Sequence, residues 1–70
     1  MKIYLFDIAN FRSIVMNSPF IPRIGDSLAC FPKVGTAYPI VNEVLLFPSK
    51  EFLEELELPD TDYIAIIFAE

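Results

Sequence analysis

Tyr63-Ile64-Ala65-Ile66-Ile67-Phe68-Ala69 (YIAIIFA, residues 63–69) is an uncharged run near the end of a chain of 70 residues. It is rich in β-branched and aromatic side chains, and its length suits one strand. Strand side chains alternate, so Ile64, Ile66 and Phe68 share one side, and Tyr63, Ala65, Ile67 and Ala69 share the other. Both sides are apolar. The strand therefore needs cover on both faces, and the rest of the chain must supply it.

Four further stretches read as extended. Residues 2–8 (KIYLFDI) and 11–17 (FRSIVMN) flank Ala9-Asn10, a turn in which asparagine tolerates positive φ, and so form a hairpin. Residues 36–48 (TAYPIVNEVLLFP) break simple alternation. A bulge at Asn42–Glu43 would shift the register and leave both polar side chains outside. Residues 27–31 (SLACF) add a short strand with Leu28 and Cys30 in phase. Before it, Pro19 and Pro22 exclude a central strand. Gly25-Asp26 suits a turn needing positive φ, with the carboxylate bonding nearby amides.

Residues 49–58 (SKEFLEELEL) change period. Phe52, Leu53 and Leu56 fall on one helical side, and Glu51, Glu54 and Glu55 on the other. Ser49 is a good N-cap, Glu51 complements the helix dipole, and Leu58-Pro59 is a stop, giving a two-turn helix over 50–57.

Tight turns without crossover helices predict a mainly β domain spanning 1–70. It is expected to be a five-stranded antiparallel sheet curling into a partly open barrel, with one short helix before the last strand. The stretches PRIGDSLACF (22–31) and AYPIVNEVLLFP (37–48) carry a layout that resembles the Src-homology and oligonucleotide-binding barrels. The resemblance covers about a third of the chain, includes no diagnostic motif and implies architecture alone.

Hydrophobic residues are 54% of the chain, including seven Phe and three Tyr. A small domain has much surface for its volume, so apolar excess is expected outside, where it marks a partner or a second copy. The candidate face joins helix and last strand: Phe52, Leu53, Tyr63 and Ile67, rimmed by Glu51, Glu54 and Glu55. The net charge is −5. All the bases lie in residues 1–50, whereas 51–70 hold Glu51, Glu54, Glu55, Glu57, Asp60, Asp62 and Glu70 and no base. This balance argues against nucleic acid, whose phosphates reward basic surfaces.

Catalysis is not expected. There is no His, the usual base near neutral pH. Cys30 alone reads as a small buried hydrophobe, since a reactive thiolate wants positive neighbours. The acidic segment lacks the spacing of a calcium loop, and one soft ligand does not make a zinc site, so no metal or cofactor is expected. The tyrosines Tyr4, Tyr38 and Tyr63 read as core and rim packing, not as base-stacking platforms. Arg12, Arg23 and Lys33 read as dispersed surface charges. The alternative is that they grip an anion such as a nucleotide in an intersubunit pocket.

The start, MKIYLFDIAN, has too short an apolar run for a secretory signal, and no run approaches the length of a spanning helix. The expectation is a cytoplasmic, non-enzymatic interaction module that self-associates or binds another protein.

Overall fold

A computed structural model describes residues 1–70. The chain is a small, mainly β domain of four strands and one short helix: β1 (Lys2–Asp7), β2 (Arg12–Asn17), β3 (Val41–Leu46), α1 (Lys50–Glu55) and β4 (Ala65–Ala69). The strands form one sheet in the order β2-β1-β4-β3. β1 and β2 make the expected hairpin, and β3 runs antiparallel to β4. β1 and β4 are parallel neighbours, with Ile3 beside Ala65 and Leu5 beside Ile67.

Two expectations are corrected. The sheet has four strands rather than five, and it is not wholly antiparallel. It is an open sheet with β2 and β3 as edges, in which the expected partly open barrel is not established. The missing strand is 27–31, where only Ser27 bridges, to Ile40. The central place of β4 follows from burial. β4 is apolar on both sides, and the sheet places it inside, where a strand covered on both faces belongs.

Each face has its own core. On one, Ile3, Leu5, Ala65, Ile67, Ala69 and Val41 pack under Leu28 and Phe31. Those two come from the irregular strap 18–40. On the other, Ile66 packs with Leu53 of α1 and with Tyr63, ringed by Tyr4, Leu45, Phe52, Leu58 and Phe68. The alternation read in 65–69 therefore holds. It fails at Tyr63, which precedes the strand and joins the side of Ile66 rather than that of Ile67.

Strap and helix are fixed locally. Gly25 has φ 96°, the Asp26 carboxylate accepts from Arg23 N at 2.8 Å, and Asp26 N donates back to Arg23 O, so the turn forms as read. The β3 register shifts between Val41 and Glu43, at the expected bulge. Ser49 Oγ accepts from Phe52 N at 3.1 Å. The helix ends sooner than expected, at Glu55, because Glu57 turns left-handed (φ 55°). Glu57 N donates to Glu54 O and Leu58 N to Leu53 O, the paired bonds of a Schellman cap. No helix is long and apolar enough to cross a membrane.

Candidate interaction surface

The helix–last strand face does not form. Leu53, Tyr63 and Ile67 are buried within the single chain, Ile67 in one core and the other two in the second. Amphipathic spacing identified residues that need cover, and the fold supplies that cover internally. Phe52 alone of the four stays half-exposed. Glu51, Glu54 and Glu55 are exposed along α1, but they do not rim an apolar patch made of the residues first assigned to it.

The apolar excess emerges elsewhere. Phe11, Phe47, Ile24, Phe20 and Leu46 are exposed, at 86, 74, 70, 66 and 54% respectively. Phe11 and Phe47 both sit at φ 49°, a left-handed conformation that is unfavourable for a bulky side chain. Sequence periodicity gave no sign of either, because backbone handedness at a turn leaves no mark in apolar spacing.

Three of these residues converge on the β3 edge. Phe47 N donates to Ile64 O at 2.7 Å. Antiparallel ladders alternate bonded and unbonded pairs, so Leu45 and Glu43 also bond toward β4, while the main-chain groups of Val44 and Leu46 point away from the sheet. At Val41 the edge is already occupied: Val41 N donates to Asp26 O, and Gly25 N donates to Val41 O. The free edge is therefore Val44 to Leu46. An open groove of about 510 Å³, lined by Ile21, Pro22, Arg23, Ile24, Val44 and Leu46, flanks it on the strap side. Another, of about 450 Å³, runs between Leu45 to Ser49 and Phe52 on the helix side. A strand edge with apolar grooves on both faces has the form of a site for an added strand, whose alternate side chains enter the two grooves.

The basic residues divide. Arg12 lines a cleft of about 260 Å³ with Asn10, Tyr38 and Glu70, and Lys33 Nζ lies 5.1 Å from the Tyr38 ring centre. Arg23 lines the β3 groove instead. Arg12 is also engaged: Nε donates to Asp7 Oδ2 at 2.7 Å, another nitrogen donates to Pro32 O, and the guanidinium lies 5.0 Å from the Phe31 ring centre. Burial pushes the Asp7 carboxyl up, but hydrogen bonds from Arg12 and Asn10 and the guanidinium charge outweigh it. The net pKa lies below the ordinary 3.8.

Cys30 is exposed, correcting the reading as a buried hydrophobe. Residues 29–30 form a turn, so Phe31 rather than Cys30 joins Leu28 in the core. Lys2 Nζ donates to Asp60 and Asp62, at 2.7 and 2.8 Å. These bonds raise the lysine pKa and lower that of Asp62, and they tie β1 to the loop before β4. Burial raises the Tyr63 pKa, and its hydroxyl has no partner.

Comparison with protein-family models, curated proteins and solved structures found no match for this chain.

Proposed function

We propose that the chain is a non-enzymatic protein-interaction module whose contact surface is the β3 edge. The observation that supports this most is Phe47. The backbone adopts an unfavourable φ of 49° there and leaves the ring 74% exposed, beside the only stretch of β3 with unpaired main-chain groups. Strain of this kind costs about 1–3 kcal/mol. Phe11 carries the same strain at the hairpin tip, so it is the place of Phe47 beside a free strand edge, and not the strain by itself, that favours a contact here. Leu46, Ile24 and Phe52 extend the apolar surface around it, and the acidic side of α1 adds charge that sets specificity and association rate.

The test is selection of short extended peptides on the immobilised chain, followed by NMR mapping. Binders with alternating apolar residues should shift the amides of Val44 to Phe47 and lose affinity for Phe47→Asp. Peptides that map to another surface, or that bind the variant equally well, would overturn the assignment.

The anionic-ligand alternative is less favoured by the geometry. Arg23 stands apart from Arg12 and Lys33, and the Arg12 cleft carries Glu70 on its wall.

A further inference from the structure

We infer that the strand added to the β3 edge is β3 of a second copy, paired antiparallel about a two-fold axis through Leu45. This rests on the reading of that edge as the contact surface, and it names the occupant.

The free edge is short at both ends. Gly25 and Asp26 of the strap close it at Val41, and the left-handed Phe47 turns the chain out of the sheet after Leu46. Only Val44 and Leu46 offer outward main-chain groups. An added strand must therefore be short and must leave the edge before it meets the strap. β3 is such a strand, with outward groups at the same two positions.

Only one two-fold register uses them all. With the axis at Leu45, Val44 lies opposite Leu46 of the partner subunit, and Leu46 opposite the partner's Val44. Each pair exchanges two N–H···O bonds, four in all. An axis at Val44 would bring the partner's Leu46 opposite Asn42, beside the strap that occupies Val41. An axis at Leu46 would set Val44 against the partner's Pro48, which has no N–H to give.

The side chains agree with the same register. Val44 and Leu46 lie on the strap side of β3, since they pair with Ile67 and Ala65. The axis joins them to their counterparts in one apolar strip, continuous with Ile21 and Ile24 of both subunits. On the helix side the two Leu45 side chains meet in an unbonded pair, where cross-strand side chains approach most closely. Glu43 lies opposite the partner's Phe47 and not opposite its own copy. A chain of net charge −5 thus pairs here without setting carboxylate against carboxylate. Such an isologous contact closes on itself as a dimer. The result is one continuous eight-stranded sheet.

The other edge suits this less well. β2 bonds inward at Ile14 and Met16, and turns Ser13, Val15 and Asn17 outward, so polar residues flank a single valine.

Sedimentation equilibrium of the full chain from about 1 to about 500 µM tests the proposal. The mass should rise from 8.0 kDa toward twice that value. Leu46→Pro removes an outward N–H, a change that edge strands tolerate, and the axis removes it twice. Dimerisation should weaken at least about tenfold. Val15→Pro, the matching change on β2, should leave it unaltered. If Leu46→Pro unfolds the chain, Leu46→Lys at the same exposed position must also give a folded monomer. A chain monomeric throughout, a dimer that survives Leu46→Lys, or one lost to Val15→Pro would overturn the inference. A monomer whose selected peptides still map to Val44 to Phe47 would reject the homodimer and leave the contact surface standing.

Discussion

Arg12 Nε lies 2.7 Å from Asp7 Oδ2, across the first hairpin, and Asp7 has no exposure to solvent. Its other oxygen, Oδ1, is buried without a partner. The carboxylate is therefore held by Arg12 and Asn10 alone. Removing one member of a buried pair leaves an uncompensated charge, which costs about 3–5 kcal/mol when both are fully buried. Arg12 is a quarter exposed, so Arg12→Ala should cost less, about 2–3 kcal/mol by denaturant unfolding.

The same pair sets an acid limit. The Asp7 pKa is depressed in the folded chain, below its ordinary 3.8. Its stabilising contribution is complete above that ordinary value and fades as pH falls through the lower folded one. Stability followed from pH 6 downward should therefore drop below about pH 4. Asp7→Asn should start less stable and lose less over that interval. Equal acid slopes in the two chains would show that other carboxylates set the limit.

The helix boundaries give a matched pair of changes. Ser49→Ala removes the acceptor for Phe52 N and should cost about 1 kcal/mol. Glu57 occupies the left-handed cap position at φ 55°, where glycine is the unstrained choice. Glu57→Gly should stabilise by about 1 kcal/mol. Chemical unfolding of both variants checks the signs, and a destabilising Glu57→Gly would mean that the carboxylate makes a contact worth more than the backbone strain.

Local chemistry was legible where it depended on neighbours in sequence. The first hairpin, the Ser49 cap, the Gly25-Asp26 turn and the shift at Asn42–Glu43 all follow from residue type and short spacing. Partner choice was not. Alternation in 65–69 separates two faces but does not say that β1 will lie alongside in parallel. Leu28-Ala29-Cys30 looked like alternation because two apolar residues stood two apart, yet a turn carries Cys30 outward. The candidate site failed for a related reason: Leu53, Tyr63 and Ile67 were found because they are apolar, and apolar residues at regular spacing are those the fold buries first. The free β3 edge depends on the Phe47 N bond to Ile64 O, a long-range pairing that fixes which amides face away and leaves no trace in local sequence.

Two apolar residues of α1 separate packing from contact. Leu53 is buried against Tyr63 and Ile66, so Leu53→Ala should cost about 2–4 kcal/mol. Phe52 is half-exposed and lines the helix-side groove. Phe52→Ala should cost less stability than Leu53→Ala but weaken association at the β3 edge. Unfolding and sedimentation measured on both variants check this division, and a Leu53→Ala variant that is folded at full stability would contradict the second core.

Phe47 and Phe11 supply the sharpest contrast, because both hold φ 49° and both are exposed, yet they sit at opposite ends of the strands. Glycine at either position removes the Cβ that makes this conformation costly, while giving the unfolded chain more freedom. The first effect is about 1–2 kcal/mol and the second somewhat smaller. Both Phe47→Gly and Phe11→Gly should therefore unfold at equal or slightly higher denaturant concentration, when measured dilute enough that the chain is monomeric. Their association should differ. Phe47 flanks the free edge and lies opposite Glu43 across the proposed axis, so its loss should raise the dimer dissociation constant several-fold. Phe11 lies at the tip of the first hairpin, away from that edge, and its loss should leave the constant unchanged. If both variants associate as the parent does, the exposed ring at 47 serves no contact on β3. If Phe11→Gly alone weakens association, the contact belongs to the hairpin end of the sheet.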